Sequence, residues 1–268
     1  MSEADFEQDE TYELISEITP GRAISDAIRN GLIVESYQII GSGKEAFVIW
    51  AKDEDFREVA MKSYRIFRTT HRDIINNTPR TSPFSVIAAF ARREYWKAYA
   101  VHKLSIPSPQ PYECKDYSFT MEFLGDNNGP FPLLSSLGKS SIDDPGDVLE
   151  QCIDILHGLF QGRFVHGDFS EHNLIFDGET VFVIDFLQSQ RFALKDAVHY
   201  ESPLIKLSEA FSILQKDITA ILTYFQRAFR MQIDYAEVEE YIVGDMKKKI
   251  KRVLELKNES TFSEYNRR

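Results

Sequence analysis

The chain has 268 residues, 43% of them hydrophobic and 27% charged, an ordinary globular composition with ample apolar material for a packed core. Its formal net charge of −11 argues against a protein that coats nucleic acid over its whole surface, though it leaves room for a local basic patch. Cys114 and Cys152 lack metal-type spacing, and the acidic N-terminus has no apolar signal core. The apolar runs Val86–Ala91 and Ile218–Phe225 are far too short to span a bilayer, so a cytoplasmic protein with no membrane partner is expected.

In chain order, residues 1–30 predict a helical extension of two short helices split at Pro20-Gly21. From Leu32 the texture turns β-like. Ile33, Val34, Tyr37, Ile39 and Ile40 lead into Gly41-Ser42-Gly43. Phe47–Trp50, a polar turn at Lys52–Asp55 and Val59–Tyr64 follow, which predicts three strands with a glycine-rich hairpin between the first two. Residues 65–83 are polar and read as an exposed loop. Phe84–Leu104 has helical periodicity, ended by the prolines of Ser105–Pro111. Two strands are predicted near Tyr112–Lys115 and Tyr117–Phe123, before a loop with Gly125, Gly129, Pro130 and Pro132 that suits a lobe boundary. Beyond it come a helix over Val148–Gln161, a strand pair (Leu174–Phe176 and Val181–Ile184) around Asp177-Gly178, and long helices over Pro203–Phe229 and Tyr235–Leu256. The expected organisation is residues 1–30 as an extension, 31–124 as a sheet lobe with the glycine loop, and 125–268 as a mostly helical lobe.

Four places carry chemistry. The turn Ser42-Gly43-Lys44-Glu45-Ala46 lets backbone N–H groups approach phosphates without Cβ clashes. A Walker loop does not fit, since Gln38 stands where its first glycine belongs and Glu45 where Ser or Thr follows the lysine. A Rossmann turn would need a helix next. A glycine loop over ATP and a plain hairpin turn both remain open. Lys62 sits in an apolar strand, where a cation is costly unless paired. It reads either as a phosphate-binding lysine or as an edge-strand lysine reaching solvent. Glu94 falls between Ile87 and Val101 on the apolar stripe of its helix, so its carboxylate is expected to be buried. Its cation is Lys62 or a nearby arginine or lysine.

The most specific motif is His166-Gly167-Asp168-Phe169-Ser170-Glu171-His172-Asn173. Asparagine five residues after aspartate is the spacing of a kinase catalytic loop. Asp168 would orient the attacking hydroxyl and accept its proton, and Asn173 would bind a metal ion on the phosphates. Asp185, at the end of Val181–Ile184, would supply a second metal-binding oxygen. His166 and His172 lack a third soft ligand and read as structural, with His166 bonded to backbone near Asp185.

These residues resemble the RIO family of atypical kinases. The resemblance lies in Gly43-Lys44-Glu45-Ala46, Val165–Leu174, Ile184–Ser189, and Ser105–Pro111 with Met121-Glu122-Phe123. It implies an α+β, two-lobed, protein-kinase-like fold: a small antiparallel sheet lobe with one main helix, and a truncated, mostly helical C-terminal lobe. Gly167 in place of an arginine and Leu187 in place of a glycine depart from ordinary protein kinases, and the 83 residues after Asp185 fit that truncation. About thirty residues precede the sheet, so the N-terminal winged helix of some members is expected to be absent or much reduced. The implied reaction is phosphorylation of serine or threonine in a protein, the chain itself included, with ATP and Mg2+ or Mn2+. Ser42, Gly43, Lys44, Glu45, Ala46, Lys62, Glu94 and the hinge Met121, Glu122 and Phe123 would hold ATP. Asp168 and Lys62 would be catalytic, and Asn173 and Asp185 would hold metal.

The family setting is maturation of the small ribosomal subunit. The basic cluster Lys247–Arg252 is a candidate contact for its precursor and rRNA, or a solvated helix end. An ATPase switch that binds and releases a pre-ribosomal particle is the alternative, with Asp185 as a transient phosphate acceptor. A small-molecule kinase is a further one, because choline and aminoglycoside kinases also carry His-Gly-Asp. A non-catalytic scaffold fits least, since every catalytic position is filled.

Overall fold

A computed structural model of the chain describes residues 18–65, 83–194, 204–252 and 255. The described residues fall into two compact units, one running to Tyr99 and including Pro109–Pro130, the other comprising Ala100–Ser108 and the residues from Phe131 onward. The predicted helix before Pro20 and the predicted loop at 66–82 lie outside the described residues.

Pro20 opens α1 (Pro20–Arg29), the second of the two helices expected there. Thr19 is the cap, its hydroxyl accepting the Arg22 N–H at 3.3 Å. Proline is pre-set for the first helical position, where its missing donor costs nothing. The sheet of the first unit has five antiparallel strands in the order β1 (Glu35–Ser42), β2 (Ala46–Lys52), β3 (Glu58–Tyr64), β5 (Ser118–Glu122), β4 (Pro111–Lys115). One core holds Ala27, Leu32 and Ile33 against Phe47, Ile49, Ala51, Val59 and Met61. The alternation Phe47, Ile49, Ala51 sends every second side chain of β2 to that core. The central strand β3 is buried continuously from Val59 to Tyr64. Helix α2 (Pro83–His102) supplies Ile87, Ala91, Glu94, Ala98 and Val101 as its buried line. A two-residue ladder, β6 (Gly125–Asp126) with β7 (Gly129–Pro130), follows β5.

In the second unit, α3 (Pro145–Gln161) buries Val148, Leu149, Cys152, Ile155, Leu156, Leu159 and Phe160 at helical spacing. Asp144 caps it, one carboxylate oxygen accepting from Gly146 and Asp147 at 2.9 and 3.2 Å. After β8 (Phe164–Val165), the strands β9 (Leu174–Phe176) and β10 (Val181–Val183) pair with Val183 opposite Leu174. β11 (Gln190–Ala193) pairs with β8 on one side and with β12 (Ile205–Lys206) on the other. Helix α4 (Leu207–Phe229) runs through the core.

The last predicted helix is not continuous. α5 (Tyr235–Val243) stops at Gly244, whose φ of 47° and ψ of −132° leave the helical region, and a 3-10 turn (Gly244–Met246) precedes the basic helical stretch 247–252. Glycine enters that conformation without Cβ strain. No helix of the described residues is long and apolar enough to cross a membrane. Asp144→Ala is expected to lower unfolding free energy by about 1 kcal/mol in urea titrations, because two helix-end N–H groups lose their acceptor.

Candidate active site

In the first unit, Lys62 lies on the central strand, which settles it as a buried residue and not an edge lysine reaching solvent. Its Nζ is 2.7 Å from Glu94 Oε1, and the two side chains are 10% and 3% exposed. The Tyr64 hydroxyl, two residues along the same face of β3, donates to the other carboxylate oxygen, Oε2. A carboxylate removed from water is stable only when its lone pairs are met, and here a cation and a hydroxyl meet both oxygens. Tyr64 was not singled out from the sequence. Its position two residues after Lys62 on an apolar strand was the available signal.

The glycine turn is closed by Gly43 N–H donating to Ala46 O at 3.0 Å. Arg65 then grips three consecutive carbonyls. Its guanidinium donates to Gly43 O and, at 3.1 Å, to Lys44 O, and its backbone N–H donates to Glu45 O at 2.8 Å. The C=O and N–H of a trans peptide point to opposite sides. Drawing the Gly43 and Lys44 carbonyls toward Arg65 therefore turns the N–H groups of Lys44 and Glu45 the other way, an arrangement that suits an anion. Arg65 also stacks over Phe47, 4.5 Å from the ring centroid. Nothing in the spacing of the sequence marks Arg65, because the contact is made across the sheet end.

At the hinge, Met121 is half-buried and pairs with Ala60, and Phe123 stacks on Trp50 with centroids 4.7 Å apart and planes at 5°. The Glu122 N–H is committed to Gln110 O at 2.8 Å, and its carboxylate accepts Gln110 N–H at 3.1 Å.

In the second unit, His166 is fully buried, its Nε2 donating to Ile184 O at 3.1 Å while Nδ1 accepts the Asp168 N–H at 3.3 Å. The histidine thus ties the loop to the strand before Asp185 and is no metal ligand. His172 lies 3.8 Å from the Glu171 carboxylate at the surface. Gly167 has φ +85°, and a Cβ there would come within 3.0 Å of Gln188 O. That close approach accounts for a glycine beside the aspartate. Asp168 is exposed, and the Asn173 side-chain amide donates to its carbonyl at 2.8 Å and to its Oδ2 at 2.9 Å. With Nδ2 so engaged, Asn173 presents Oδ1 as a metal-type donor. Ile184 N–H donates to Asn173 O at 3.0 Å, which sets Asp185 beside Asn173 at the open end of the β9–β10 pair. Asp185 is held at φ +64°, and its Oδ1 accepts the Leu187 N–H at 3.3 Å. A left-handed aspartate costs on the order of 1 kcal/mol and signals that position matters there. The donors are hard oxygens from two residues, which fits Mg2+ keeping water and phosphate ligands and does not fit a soft-ligand metal. Among the described residues there is no cluster of three His, Cys, Asp or Glu side chains for any other ion.

The largest omission from the sequence reading is Asp217. It is 2% exposed on α4, its Oδ2 accepting Gly167 N–H at 3.0 Å and its Oδ1 accepting Phe169 N–H at 3.2 Å. It therefore clamps the backbone on both sides of Asp168. Burial pushes its carboxyl up to about 6, against the pull of the donating amides. An acidic residue in the apolar run of α4 was the signal. The basic cluster keeps Lys248, Lys249, Lys251 and Arg252 exposed, buries Ile250, and spends Lys247 on Glu240 at 2.8 Å.

A family model described as the RIO domain matches residues 47–238. The chain is 24% identical over 226 residues to the serine/threonine-protein kinase RIO1 of Homo sapiens, covering 80% of this chain and 37% of that one. It is 29% identical over 222 residues to the RIO-type serine/threonine-protein kinase Rio1 of Methanocaldococcus jannaschii, covering 79% and 70%. It spans 37% and 40% of the human and fission-yeast relatives. The crystal structure of the Rio2 kinase–ADP/Mg2+–phosphoaspartate complex from Chaetomium thermophilum shares the fold with a TM-score of 0.58 at 20% identity, over 89% of this chain and 76% of that one. The protein-kinase-like, two-lobed α+β architecture is that of these neighbours.

Glu94→Ala would strand the Lys62 ammonium in the core and is expected to cost about 3–5 kcal/mol, read by urea denaturation. Asp217 ordinarily titrates at 3.8 and here near 6, so its contribution to stability is complete below about pH 4 and is lost as pH rises through 6. The stability of the wild type relative to Asp217→Asn should accordingly fall by up to about 3 kcal/mol between pH 4 and pH 7. A difference independent of pH would place the carboxyl in a water-like setting.

Proposed function

The chain belongs to the RIO family, and from that premise we propose that it transfers the γ-phosphoryl group of MgATP to a serine or threonine hydroxyl of a protein, itself included. The observation that carries this reading is the Asp168–Asn173 loop, with an exposed carboxylate held by the amide of Asn173 and with Asp185 set beside that asparagine. Relatives of the chain are named serine/threonine-protein kinases.

In this reading Asp168 orients the acceptor hydroxyl and takes its proton. Asn173 Oδ1 and the Asp185 carboxylate hold Mg2+, which when bound neutralises phosphate charge. Lys62, kept in place by Glu94 and Tyr64, binds the nucleotide phosphates, and the N–H groups of Lys44 and Glu45 meet the same anion. Ser42, Gly43 and Ala46 complete the turn, and backbone at Met121–Phe123 takes the adenine edge. Since Glu122 N–H is already bonded to Gln110, the donor to adenine is another hinge amide. The setting is cytoplasmic, with a small-subunit precursor and its rRNA as partners of the exposed cations in 247–252.

A second reading, an ATPase switch with Asp185 as transient acceptor, is favoured by the phosphoaspartate of the Chaetomium thermophilum complex. Steady phosphate release with no protein acceptor present would support it. Asp168→Ala is expected to reduce transfer of labelled phosphate by about 10²–10⁴-fold while calorimetric ATP affinity stays within about threefold, because Asp168 acts on the acceptor. Transfer at the wild-type rate would remove Asp168 from the role.

A further inference from the structure

Beside the catalytic loop runs a trough of about 940 Å³, lined by Glu171 and by one face of α4 that includes Lys216, Thr219, Thr223, Tyr224 and Arg227. Its residues on the helix recur at three- and four-residue steps, so they share one face. Lys216, Thr219 and Arg227 are exposed. Neither cation forms an ion pair among the described residues, although acidic side chains outnumber basic ones 42 to 31 along the chain. Unspent cations on an acidic protein mark a surface complementary to anions.

The position of the trough is fixed relative to Asp168. The same helix reaches the loop through Asp217, which binds the N–H groups on either side of Asp168. Glu171, three residues beyond Asp168 on that loop, forms part of the wall. Near it, Tyr224 donates its hydroxyl to Leu134 O at 3.0 Å, and burial, together with the Glu171 charge, raises the phenol's pKa. Lys216 and Arg227 stand three turns apart, about 16 Å along the helix. An extended chain covers that span in about five residues. Between the cations, the Thr219 hydroxyl donates to Gln215 O at 2.7 Å and keeps a lone pair that can accept a peptide N–H, and Thr223 adds a second hydroxyl.

We propose that this trough docks the acceptor protein through an extended segment whose serine is flanked by acidic residues, with Lys216 and Arg227 selecting the acids. The proposal rests on the kinase reading above and names its substrate class. A negatively charged groove would select basic flanks; here the two cations outweigh the single carboxylate of Glu171, and reversing them should reverse the preference.

The test compares serine peptides flanked by glutamates with the same peptides flanked by lysines, using the full chain and its Lys216→Glu/Arg227→Glu variant. The wild type is expected to show a KM about five- to tenfold lower for the glutamate peptide, the scale of two partly screened ion pairs. The variant should lose or invert that ratio while kcat and ATP affinity stay within about twofold. Lys216→Gln/Arg227→Gln should fall between the two. A wild type that phosphorylates no peptide and no protein fails the kinase reading itself. A wild type that phosphorylates the peptides with the same KM ratio as the variant overturns only the docking site. Single-stranded RNA that blocks the peptide in the wild type and not in the variant would reassign the trough to nucleic acid and overturn the proposal as well.

Discussion

The buried carboxylate of Asp217 is the constraint on which the second unit's chemistry depends. A loop that must expose Asp168 cannot be stabilised by burying it, so the fixing force has to come from behind. Asp217 supplies that force by accepting the N–H groups of Gly167 and Phe169 from within α4. His166 adds a bond to Ile184 O from the same loop, and Asn173 closes onto Asp168 from the far end. The Asp168 carboxylate is thus an exposed point of a segment whose neighbours are anchored. Preorganisation of this kind is what electrostatic catalysis requires, because the protein does not reorganise during the reaction. A carboxyl raised to about 6 is the cost of placing the anchor in a dry interior.

The first unit solves a similar problem with the opposite charge. A lysine on a central strand would be driven toward neutrality or outward unless a carboxylate met it in the same dry layer. Glu94 does so, and Tyr64 meets the remaining oxygen. Arg65 then holds the carbonyls of the glycine turn from the strand end. Arg65 gives the turn its direction.

The sequence determined much of this. The order of strands and helices, the alternation of β2, the apolar line of α2 that carries Glu94 inward, and the aspartate–asparagine spacing of the loop were all legible, because each is a local pattern repeated at the period of its element. Pro20 marked the helix boundary in the sequence, since proline ends a helix from inside and opens one from its first turn, and the cap at Thr19 shows that here it opens one. The last helix was drawn without its break at Gly244, since one glycine within a periodic run does not announce whether it will bend the chain. Tertiary structure alone decided that Lys62 is interior, that Asp217 and Arg65 reach loops far from them in sequence, and that the cations of α4 line a trough beside Asp168. Each of these is a contact between segments separated by many residues or a question of strand order. Local periodicity fixes which way a side chain points on its own element, and only packing fixes what it meets there.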